Sequence, residues 1–545
     1  MLNLLKKKTA GSQSIRENLI WKLGPMLLFL FVWAIDTAFV YKYCRIYLDS
    51  DMASEMVLAN LLNKEGKMLS TNWFYSSEIR IIGHVRLFKP LLLLFPNNWQ
   101  MVRTVAESIL ILLTGCTYIY VTSVLEDRRK CILFAAISMC PFGFLYMWQG
   151  IFCGFYLLWV ILYGFCGGLM LRIVFGRGKN KYFQLIILAA ISLVIGLQSI
   201  RGLLNLQLPM FLVALILWYL HYNSDDRLKE KIYSKSVIFL KISLFSICFS
   251  VVGYAVNTLY LSKKYTYFDQ NDKLWQDFSF SKLLSILEKF IKLWGFPNIG
   301  NSEISLFSIN GLLSCFALLF ILFVLISFII LVKCIKNMSM QHQAYSLTAI
   351  MMMLVPYIVF VFFQEDNSYI GVYFLPNMAF FIAGLQIALE NYPYKLKVGK
   401  KLVMVALLLT VAASSVNTVN LFLKNPPRSN SQMVTIAETL LNEGYTQCIA
   451  TFWNANVVTE LTDGQIEVWS MENMSDNSVH QWLQEKDHVQ NLPTGKCAMI
   501  FDKEDYDSLG MDLANQVGYT GIYMDDKLVV IGTDDIEAWW DQIKK

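Results

Sequence analysis

Three acidic residues lie close together in the segment Tyr47–Glu55, just after the first strongly apolar stretch of the chain. They are Asp49, Asp51 and Glu55. A carboxylate at the mouth of a bundle of apolar helices is partly desolvated, which raises its pKa and makes it a better general base towards a hydroxyl group. The same residues fit a structural role, because an Asp or Ser at a helix N-cap, with more acid in the first turn, stabilises a helix by about 0.5 to 2 kcal/mol.

The residues that follow this acidic segment have the spacing of a short amphipathic helix. Apolar side chains recur at helical intervals and a glycine at position 66 is a typical stop signal. We therefore predict a helix that begins near Ser50 and ends at Gly66. Such a helix puts Asp51 and Glu55 on one face, with Asp49 just ahead of the first turn.

The rest of the loop between the first two apolar stretches, residues 44–101, is rich in aromatic and basic side chains. This mixture suits sugar stacking and phosphate contact, and the candidate substrate-binding residues of the loop are Glu55, Trp73, Arg80, His84, Arg86 and Lys89. Interfacial aromatic residues and snorkelling Lys or Arg give the same pattern in many membrane proteins. Both interpretations stay open.

A second candidate group lies in two short connections further along the chain. Arg201 is the only charge in a tight hairpin between two apolar stretches and needs an anionic partner, for which a lipid phosphate or pyrophosphate suits its planar donors. A structural pair with Asp49, Asp51 or Glu365 would serve equally. Glu365 and Tyr373 lie in the last hairpin and could face the same cavity.

The composition is that of an integral membrane protein. Of 545 residues, 56% are hydrophobic and 16% charged, whereas soluble domains carry about 25% charged residues. A hydrocarbon core about 30 Å thick needs roughly 20 apolar residues per helix. About eleven such runs are predicted, at 23–43, 104–124, 131–149, 151–171, 183–200, 203–220, 237–260, 306–332, 344–363, 370–389 and 401–422.

The basic residues set the predicted orientation. Connections that are rich in Lys and Arg stay in the cytoplasm, and they all fall on one side of the predicted bundle. These connections are the N-terminal 22 residues, Arg128 to Lys130, Arg172 to Lys181, Arg227 to Lys241, Lys333 to Lys336 and Lys395 to Lys401. We therefore predict a multi-pass plasma-membrane protein with a cytoplasmic N-terminus. An odd number of spans leaves the C-terminal region outside.

A soluble domain is predicted for residues 424–545, after a membrane domain at 1–423. The boundary is the helix breaker Asn425-Pro426-Pro427, beyond which about half of the 41 acidic residues lie. Short β-rich runs alternate there with helical stretches, which predicts a small α/β domain. The runs are 447–451, 465–469, 497–501, 520–523 and 528–531, with a helix at 433–441 and a hairpin turn at Asp525-Asp526.

Other chemistries find little support in the sequence. The five histidines form no H-x-x-H or H-E-x-x-H pattern, and no Walker loop or dinucleotide glycine fingerprint occurs, which disfavours zinc hydrolysis and ATP-driven transport. The charge pattern does not favour nucleic-acid binding. Cys448 and Cys497 could form a disulfide in an oxidising compartment. Asp36 and Glu107 lie within predicted spans and should face the bundle interior.

The loop with Asp49-Ser50-Asp51 resembles that of the GT-C glycosyltransferases. These polytopic enzymes transfer a sugar from a polyprenyl-phosphate or pyrophosphate donor to an acceptor on the outer face. The resemblance rests on that loop and its amphipathic helix, on Gln198–Leu206, and on Tyr373-Phe374-Leu375-Pro376, which is similar to the Arg-Tyr-Phe-x-Pro stretch of such enzymes. Two positions depart from the family: Asp-Ser-Asp replaces the Asp-Glu pair of protein O-mannosyltransferases, and Val372 replaces the arginine before Tyr-Phe.

The resemblance implies a GT-C-type transferase, inverting at the sugar, with a polyprenyl-linked sugar, membrane lipid and a glycan or other acceptor as partners. Asp49 or Asp51 would act as the base, and Arg201, with Arg80, Arg86 or Lys89, would stabilise the phosphate leaving group. An Asp-x-Asp motif could also hold Mg²⁺ or Mn²⁺, and no cofactor is certain. Alternatives are a polymerase or ligase of lipid-linked glycans, a non-enzymatic lipid or glycan transporter, and a scaffold.

Overall fold

The computed structural model describes residues 2–76, 79–176, 180–222, 227–267, 275–295, 305–363, 370–392 and 397–543. Long helices make up the first part of the chain. They are α1 Leu2–Tyr43, α2 Ser50–Glu65, α3 Val85–Leu94, α4 Trp99–Val121, α5 Arg128–Met139, α6 Leu157–Phe175, α7 Lys181–Gln198, α8 Leu208–His221, α9 Arg227–Val256, α10 Ser262–Lys264, α11 Phe280–Lys292, α12 Ile309–Cys334, α13 Met340–Phe363, α14 Met378–Asn391 and α15 Lys397–Lys424.

Ten helices among the described residues are long and apolar enough to cross a membrane. The predicted polytopic helical fold is therefore confirmed, and the difference from eleven falls on the span predicted at 131–149. Helix α5 ends at Met139 because Pro141 follows: Cys140 is extended, with φ −67° and ψ 136°. The next helix starts at Leu157 rather than 151, after a π-helical turn at Tyr146–Phe152.

The broken segment still runs the length of the bundle. At its start, the Cys131 thiol lies 3.6 Å from the carbonyl of Thr122, just past the last turn of α4. At its end, Gly154 lies against the Glu107 carboxylate in the first half of α4. Gly154 has φ +66°, and a Cβ there would lie 1.9 Å from Glu107 Oε2, so only glycine fits. The chain thus crosses between α5 and α6 without a continuous helix.

The C-terminal region is an α/β domain, as predicted. Its strands are β3 Gln447–Thr451, β4 Glu467–Met471, β5 Cys497–Asp502, β6 Tyr519–Met524 and β7 Leu528–Thr533, and its helices are α16 Ser431–Asn442, α17 Phe452–Leu461, α18 Asp487–Gln490, α19 Lys503–Ser508 and α20 Ile536–Ile543. The sheet order is β4-β3-β5-β7-β6, with β3 parallel to both β4 and β5 and with β7 antiparallel to β5 and β6.

The predicted elements of this domain lie close to the observed ones. Strand β4 begins two residues later than predicted, and Asp525 closes the β6–β7 turn by accepting the amides of Lys527 and Leu528 at 2.8 and 2.7 Å. Cys448 and Cys497 are on neighbouring strands, and both thiols are free and buried. The disulfide considered from sequence is not formed.

The first loop joins the bundle to the C-terminal domain by backbone pairing. A two-residue strand, β1 Phe74–Tyr75, pairs in parallel with β2 Thr266–Tyr267. On its other side, the Phe74 amide donates to the Gln484 carbonyl at 2.9 Å and the Leu483 amide donates to Phe74. We call the end of the bundle at which the C-terminal domain sits the domain end.

A buried ion pair fastens the two parts. The Arg103 guanidinium on α4 donates from Nε and Nη2 to the two oxygens of Glu460 on α17, at 2.6 and 2.7 Å. The same Nη2 donates to the Met52 carbonyl on α2 at 2.9 Å. Arg103 is 1% exposed and Glu460 6%. One side chain therefore holds the bundle, α2 and the C-terminal domain together.

Breaking this pair is expected to loosen the C-terminal domain. Glu460→Gln removes the hydrogen-bonded counter-charge of a buried guanidinium and leaves only Glu107, 3.9 Å away, which should destabilise the protein by about 3 kcal/mol. The double variant Arg103→Met with Glu460→Leu should recover part of that loss, because neither member of the hydrogen-bonded pair is left behind, although Glu107 loses the nearby cation. Thermal unfolding in detergent and limited proteolysis of the linker near Pro427 measure the effect.

Glu467→Gln is the matched control, since it removes an ion pair with His488 from a glutamate whose side chain is 57% exposed. It should cost no more than about 1 kcal/mol. An equal loss in Glu460→Gln and Glu467→Gln would contradict a fastening role for the buried pair.

Candidate functional site

The candidate site begins where α1 gives way to α2. Asp49 is the N-cap of α2, with an extended backbone, and its carboxylate accepts the Met52 amide at 2.8 Å. The helix runs to Gly66, whose φ of +66° closes it, as predicted. Asp49 is 7% exposed. Burial raises its pKa, although the Met52 amide and the cations of Arg428 and Arg103 oppose the rise.

Asp51 occupies the first turn of α2 and is only partly buried. Burial raises its pKa to about 7, and the negative charge of Asp49 adds to the rise. Arg80 opposes it, Glu55 reinforces it, and Arg428 opposes it more weakly. A carboxyl group with a pKa near neutrality can hold or release a proton at physiological pH, which is the property a general base needs.

Residues 79–85 fold onto the face of α2 that carries Asp51 and Glu55. Arg80 Nη1 lies 3.8 Å from Glu55 Oε1, and Glu55 Oε2 accepts the Val85 amide at 3.4 Å. Gly83 permits this approach, since a Cβ there would lie 3.3 Å from Glu55 Oε2. The predicted common face of Asp51 and Glu55 therefore carries a cation, Arg80, between two acids.

The C-terminal domain closes over the acidic segment from the other side. Ser50, between the two aspartates, donates its hydroxyl to the Phe452 carbonyl and accepts from Asn456 at 3.3 Å. Asn430 donates its amide to Ile46 at 2.7 Å and its side chain to Leu48. The sequence predicts the domain but not that it covers the acidic motif.

Arg428 was missed by the sequence reasoning. It lies in the linker after α15, and its guanidinium carbon sits 4.7 Å from the Trp453 ring centroid. Burial lowers the pKa of Arg428, and the charges of Asp49, Asp502 and Asp51 oppose that fall. The sequence did hold a signal: Arg428 is the only arginine after residue 423, in an otherwise acidic region.

A second buried cluster lies behind the acidic segment. His84 Nε2 is 3.7 Å from Glu107 Oε2, and Arg103 Nη1 is 3.9 Å from Glu107 Oε1. Glu107 is fully buried, as expected for an ionisable residue in a span, and Asp36 is likewise 4% exposed. His84, which was predicted to bind substrate, is 4% exposed and packs against Phe88 and Phe155. Its side chain is therefore buried in this structure.

Two other candidates of the first loop are engaged in contacts within the protein. Trp73 is 0% exposed and bridges to Glu485 of the C-terminal domain, so its ring has no open face for a sugar. Arg86 donates from Nε to the Ile81 carbonyl at 2.8 Å.

Lys89 lies at the wrong end of α2 for the predicted phosphate contact. Its ammonium donates to the carbonyls of Leu62 and Lys67, at 3.2 and 2.6 Å, and thereby satisfies acceptors at the C-terminal end of the helix. Eleven residues separate Asp51 from Leu62, which is about 16 Å along a helix. Lys89 does not converge with Asp51.

The hairpin with Arg201 lies at the domain end of the bundle. Gln198 Oε1 accepts the Ile82 amide at 2.9 Å, so the end of α7 is attached to the loop that carries Arg80. The Arg201 guanidinium carbon lies 4.7 Å from the centroid of the Tyr373 ring, which brings two predicted residues together. Glu365, the third member of this predicted group, lies outside the described residues.

The predicted divalent cation has no assigned ligands. Among the described residues, no group of three or more His, Cys, Asp or Glu side chains is placed to hold a metal ion. Metal dependence stays a prediction of the Asp-x-Asp pattern.

Known proteins resemble this chain in structure rather than in sequence. No family model and no curated protein matches the sequence. The structure of ArnT from Cupriavidus metallidurans bound to undecaprenyl phosphate superposes with a TM-score of 0.52 at 10% identity, covering 94% of this chain and 98% of that one. Its apo form gives 0.51 at 11% identity, covering 95% and 98%.

A third solved structure is less similar. The archaeal oligosaccharyltransferase AglB from Archaeoglobus fulgidus, in complex with an inhibitory peptide and a dolichol-phosphate, gives a TM-score of 0.45 at 11% identity over 86% of this chain and 69% of that one. At such identities the likeness of the ArnT structures shows the fold alone.

The raised pKa of Asp51 predicts a pH dependence of stability. Its folded pKa of about 7 exceeds the ordinary value of 3.8, so the folded protein holds this proton more tightly than the unfolded chain. Stability should therefore fall as the pH rises from about 4 to 7 and level off above 7, by on the order of a few kcal/mol. Asp51→Asn should remove that slope in thermal unfolding measured from pH 5 to 8.

Asp526→Asn, an exposed carboxyl group in the β6–β7 turn, is the control and should leave the slope as in the wild type. If Asp51→Asn and wild type keep the same slope, the carboxyl group of Asp51 does not titrate near neutrality.

Proposed function

We propose that this chain, which has the GT-C fold, is a membrane glycosyltransferase. It moves a sugar from a polyprenyl-phosphate or pyrophosphate donor to an acceptor hydroxyl at the outer membrane face. One observation carries the proposal: Asp51, a carboxyl group with a pKa of about 7, interacts with the cations of Arg80 and Arg428 at the domain end of a GT-C bundle. The ArnT structure contains a polyprenyl phosphate, undecaprenyl phosphate, which supports a donor of that class.

Asp51 is the proposed base. At neutral pH a large share of its carboxyl groups are ionised, and its raised pKa makes the carboxylate a better proton acceptor than an ordinary aspartate. It removes the proton of the acceptor hydroxyl as that oxygen attacks the anomeric carbon. The bond from the anomeric carbon to the phosphate oxygen breaks, and the phosphate leaves with the bonding electrons. Attack from the opposite face inverts the anomeric configuration.

Asp49 is proposed to position the base rather than to act as one. One of its oxygens is engaged by the Met52 amide, and it fixes the first turn of α2 on which Asp51 lies. Its negative charge also raises the pKa of Asp51. The two aspartates thus have different environments and different proposed roles.

The leaving phosphate needs fixed positive charge. Arg80 is held by Glu55 next to Asp51, and Arg201 lies over the Tyr373 ring in a hairpin attached to the same loop through Gln198. A guanidinium presents planar, paired N–H donors that match phosphate oxygens and stabilises the charge that develops on them. We assign the stabilisation of the leaving phosphate to Arg80 and Arg201. Lys89 has no part in it, because it contacts the C-terminal end of α2.

The proposed sidedness follows from charge. Arg128 and Lys130 begin α5 and Arg172 ends α6, and these residues lie at the end of the bundle away from the C-terminal domain. Basic connections are retained in the cytoplasm. The domain end then faces outside the plasma membrane, with the N-terminus in the cytoplasm, and the acidic C-terminal domain is external.

Asp51→Asn should abolish most transfer. Loss of a general base typically costs a factor of about 10² to 10⁴, which appears in kcat more than in the donor KM. The measurement is transfer of radiolabelled sugar from a panel of polyprenyl-phosphate sugars by purified protein, with cell-envelope glycans as acceptors. The wild-type rate should rise with pH and level off above about pH 7.

Two further variants serve as comparisons for Asp51→Asn. Asp526→Asn should transfer at the wild-type rate, and Asp49→Asn, which keeps an N-cap side chain, should lose less activity than Asp51→Asn. Transfer by Asp51→Asn at the wild-type rate would remove Asp51 as the base. Absence of transfer from every donor by the wild-type protein would count against the proposed function.

A further inference from the structure

One aromatic ring of the C-terminal domain is exposed. Trp453 has 47% of its surface open to solvent, whereas Trp469, Trp539 and Trp540 are buried at 6%, 0% and 5%. Among the aromatic side chains of the described part of residues 431–543, it is the one that is exposed rather than buried or half-buried. An exposed indole leaves a large apolar surface in water, and such exposure is typical of a binding surface.

The ring is also held in one orientation. The Arg428 guanidinium carbon lies 4.7 Å from its centroid, and the Phe452 ring meets it edge-on at 5.1 Å. A side chain fixed in this way loses little conformational entropy when a ligand packs on it. These contacts prepare the indole for a flat apolar partner.

Polar groups stand next to the indole at the ends of two parallel strands. Asp502 ends β5, and its oxygens accept the Thr451 hydroxyl at 3.1 Å and the Asn454 side-chain amide at 3.2 Å. Thr451 ends β3, and Trp453 and Asn454 lie in the first turn of α17. The carboxyl ends of parallel strands are where open α/β sheets bind ligands. A carboxylate offers about four acceptor positions, so Asp502 keeps capacity for further donors.

This edge of the sheet adjoins the acidic motif. The Phe452 carbonyl, one residue before Trp453, accepts the Ser50 hydroxyl, and Ser50 lies between the two aspartates. The Arg428 cation interacts with Asp49 and Asp51 on the bundle side and with Asp502 on the domain side. A molecule bound at Trp453 and Asp502 is therefore next to the proposed base.

We propose that Trp453 and Asp502 form a carbohydrate-binding subsite that holds the acceptor, with the buried Asn454 amide holding the Asp502 carboxylate in place. A pyranose ring has an apolar face of C–H groups, which stacks on an indole, and a rim of hydroxyls, which donate to a carboxylate. The indole and the carboxylate match these two features of one ring. The inference rests on the proposed function and specifies its acceptor: a glycan, whose reacting hydroxyl is presented to Asp51.

Binding can be tested without a donor. Saturation-transfer difference NMR on the full-length protein in lauryldimethylamine oxide, a detergent without sugar, uses methyl β-D-glucopyranoside, methyl α-D-mannopyranoside and N,N′-diacetylchitobiose as probes. At least one probe should receive saturation at its ring C–H protons. Trp453→Ala and Asp502→Ala should each reduce that signal about fivefold or more, and Trp453→Phe should restore part of it.

Trp275→Ala is the matched control, since this tryptophan is 74% exposed and lies ahead of α11 on the membrane domain. It should bind the probes as the wild type does. Because Trp453 is exposed, its replacement should leave the unfolding temperature close to that of the wild type, which the same samples verify.

The transfer assay separates this inference from the proposed function. Trp453→Ala should raise the KM for the glycan acceptor about tenfold, with the donor KM unchanged, because it removes binding rather than the base. Loss of transfer in Asp51→Asn, together with Trp453-dependent probe binding by the wild type, supports both proposals.

Three binding results would each overturn the inference. The first is that none of the three sugars binds. The second is that a sugar binds equally well to wild type and Trp453→Ala. The third is a Trp453-dependent signal from a blocked serine-containing pentapeptide with none from the sugars, which would indicate a protein acceptor. Sugar binding at Trp453 in a protein without any transferase activity would end the acceptor role and the proposed function together.

Discussion

The buried pair between Arg103 and Glu460 determines how the two parts of the molecule are joined. Removing two charges from water costs several kcal/mol per ion, and only close, fully hydrogen-bonded geometry offsets that cost. The bidentate contact at 2.6 and 2.7 Å, with a third bond to the Met52 carbonyl, supplies this geometry. Such a pair tolerates little displacement, because a shift of either helix would leave a charge buried and unsatisfied. It therefore fixes the position of α17 against α4 and α2.

That fixed position governs the environment of the acidic motif. Met52, whose carbonyl accepts from Arg103, is also the residue whose amide donates to the capping carboxylate of Asp49, so the ion pair and the N-cap share one turn of α2. On the domain side, Phe452 begins α17 and accepts the Ser50 hydroxyl. Burial of Asp49 and Asp51 is thus produced jointly by the bundle and the C-terminal domain.

Local patterns in the sequence predicted the parts of this arrangement that depend on neighbouring residues. The limits of α2 follow from Asp49 and Gly66, and most strands of the C-terminal domain lie within two residues of their predicted positions. The continuous helix predicted at 131–149 is not formed, because Pro141 stops it although the residues stay apolar. Hydropathy indicates whether a segment prefers lipid to water, but it does not indicate where the backbone leaves the helix. The helix-capping contact of Lys89 was not predicted, because it arises from the fold of the loop.

The remaining features arise from long-range contacts. Arg103 and Glu460 are separated by 357 residues, and nothing in the local sequence of either indicates the other. The same holds for Trp73, an aromatic residue at the expected interface, which the pairing with Glu485 buries instead. The docking of the C-terminal domain therefore decides whether Trp73 stays accessible. Arg428 and Trp453 stay near the acidic motif because that docking places them there.

This dependence gives the C-terminal domain a chemical role under the proposed function. Burial is the largest cause of the raised pKa of Asp51, and the domain packs against Ser50, the residue before it. If the domain moved away, water would reach the carboxylate and its pKa would fall towards the ordinary value, which would weaken it as a base. Acceptor binding on the same domain would hold the domain in its docked position, since a ligand stabilises the state that binds it. The base would then be strongest when an acceptor is present to be deprotonated.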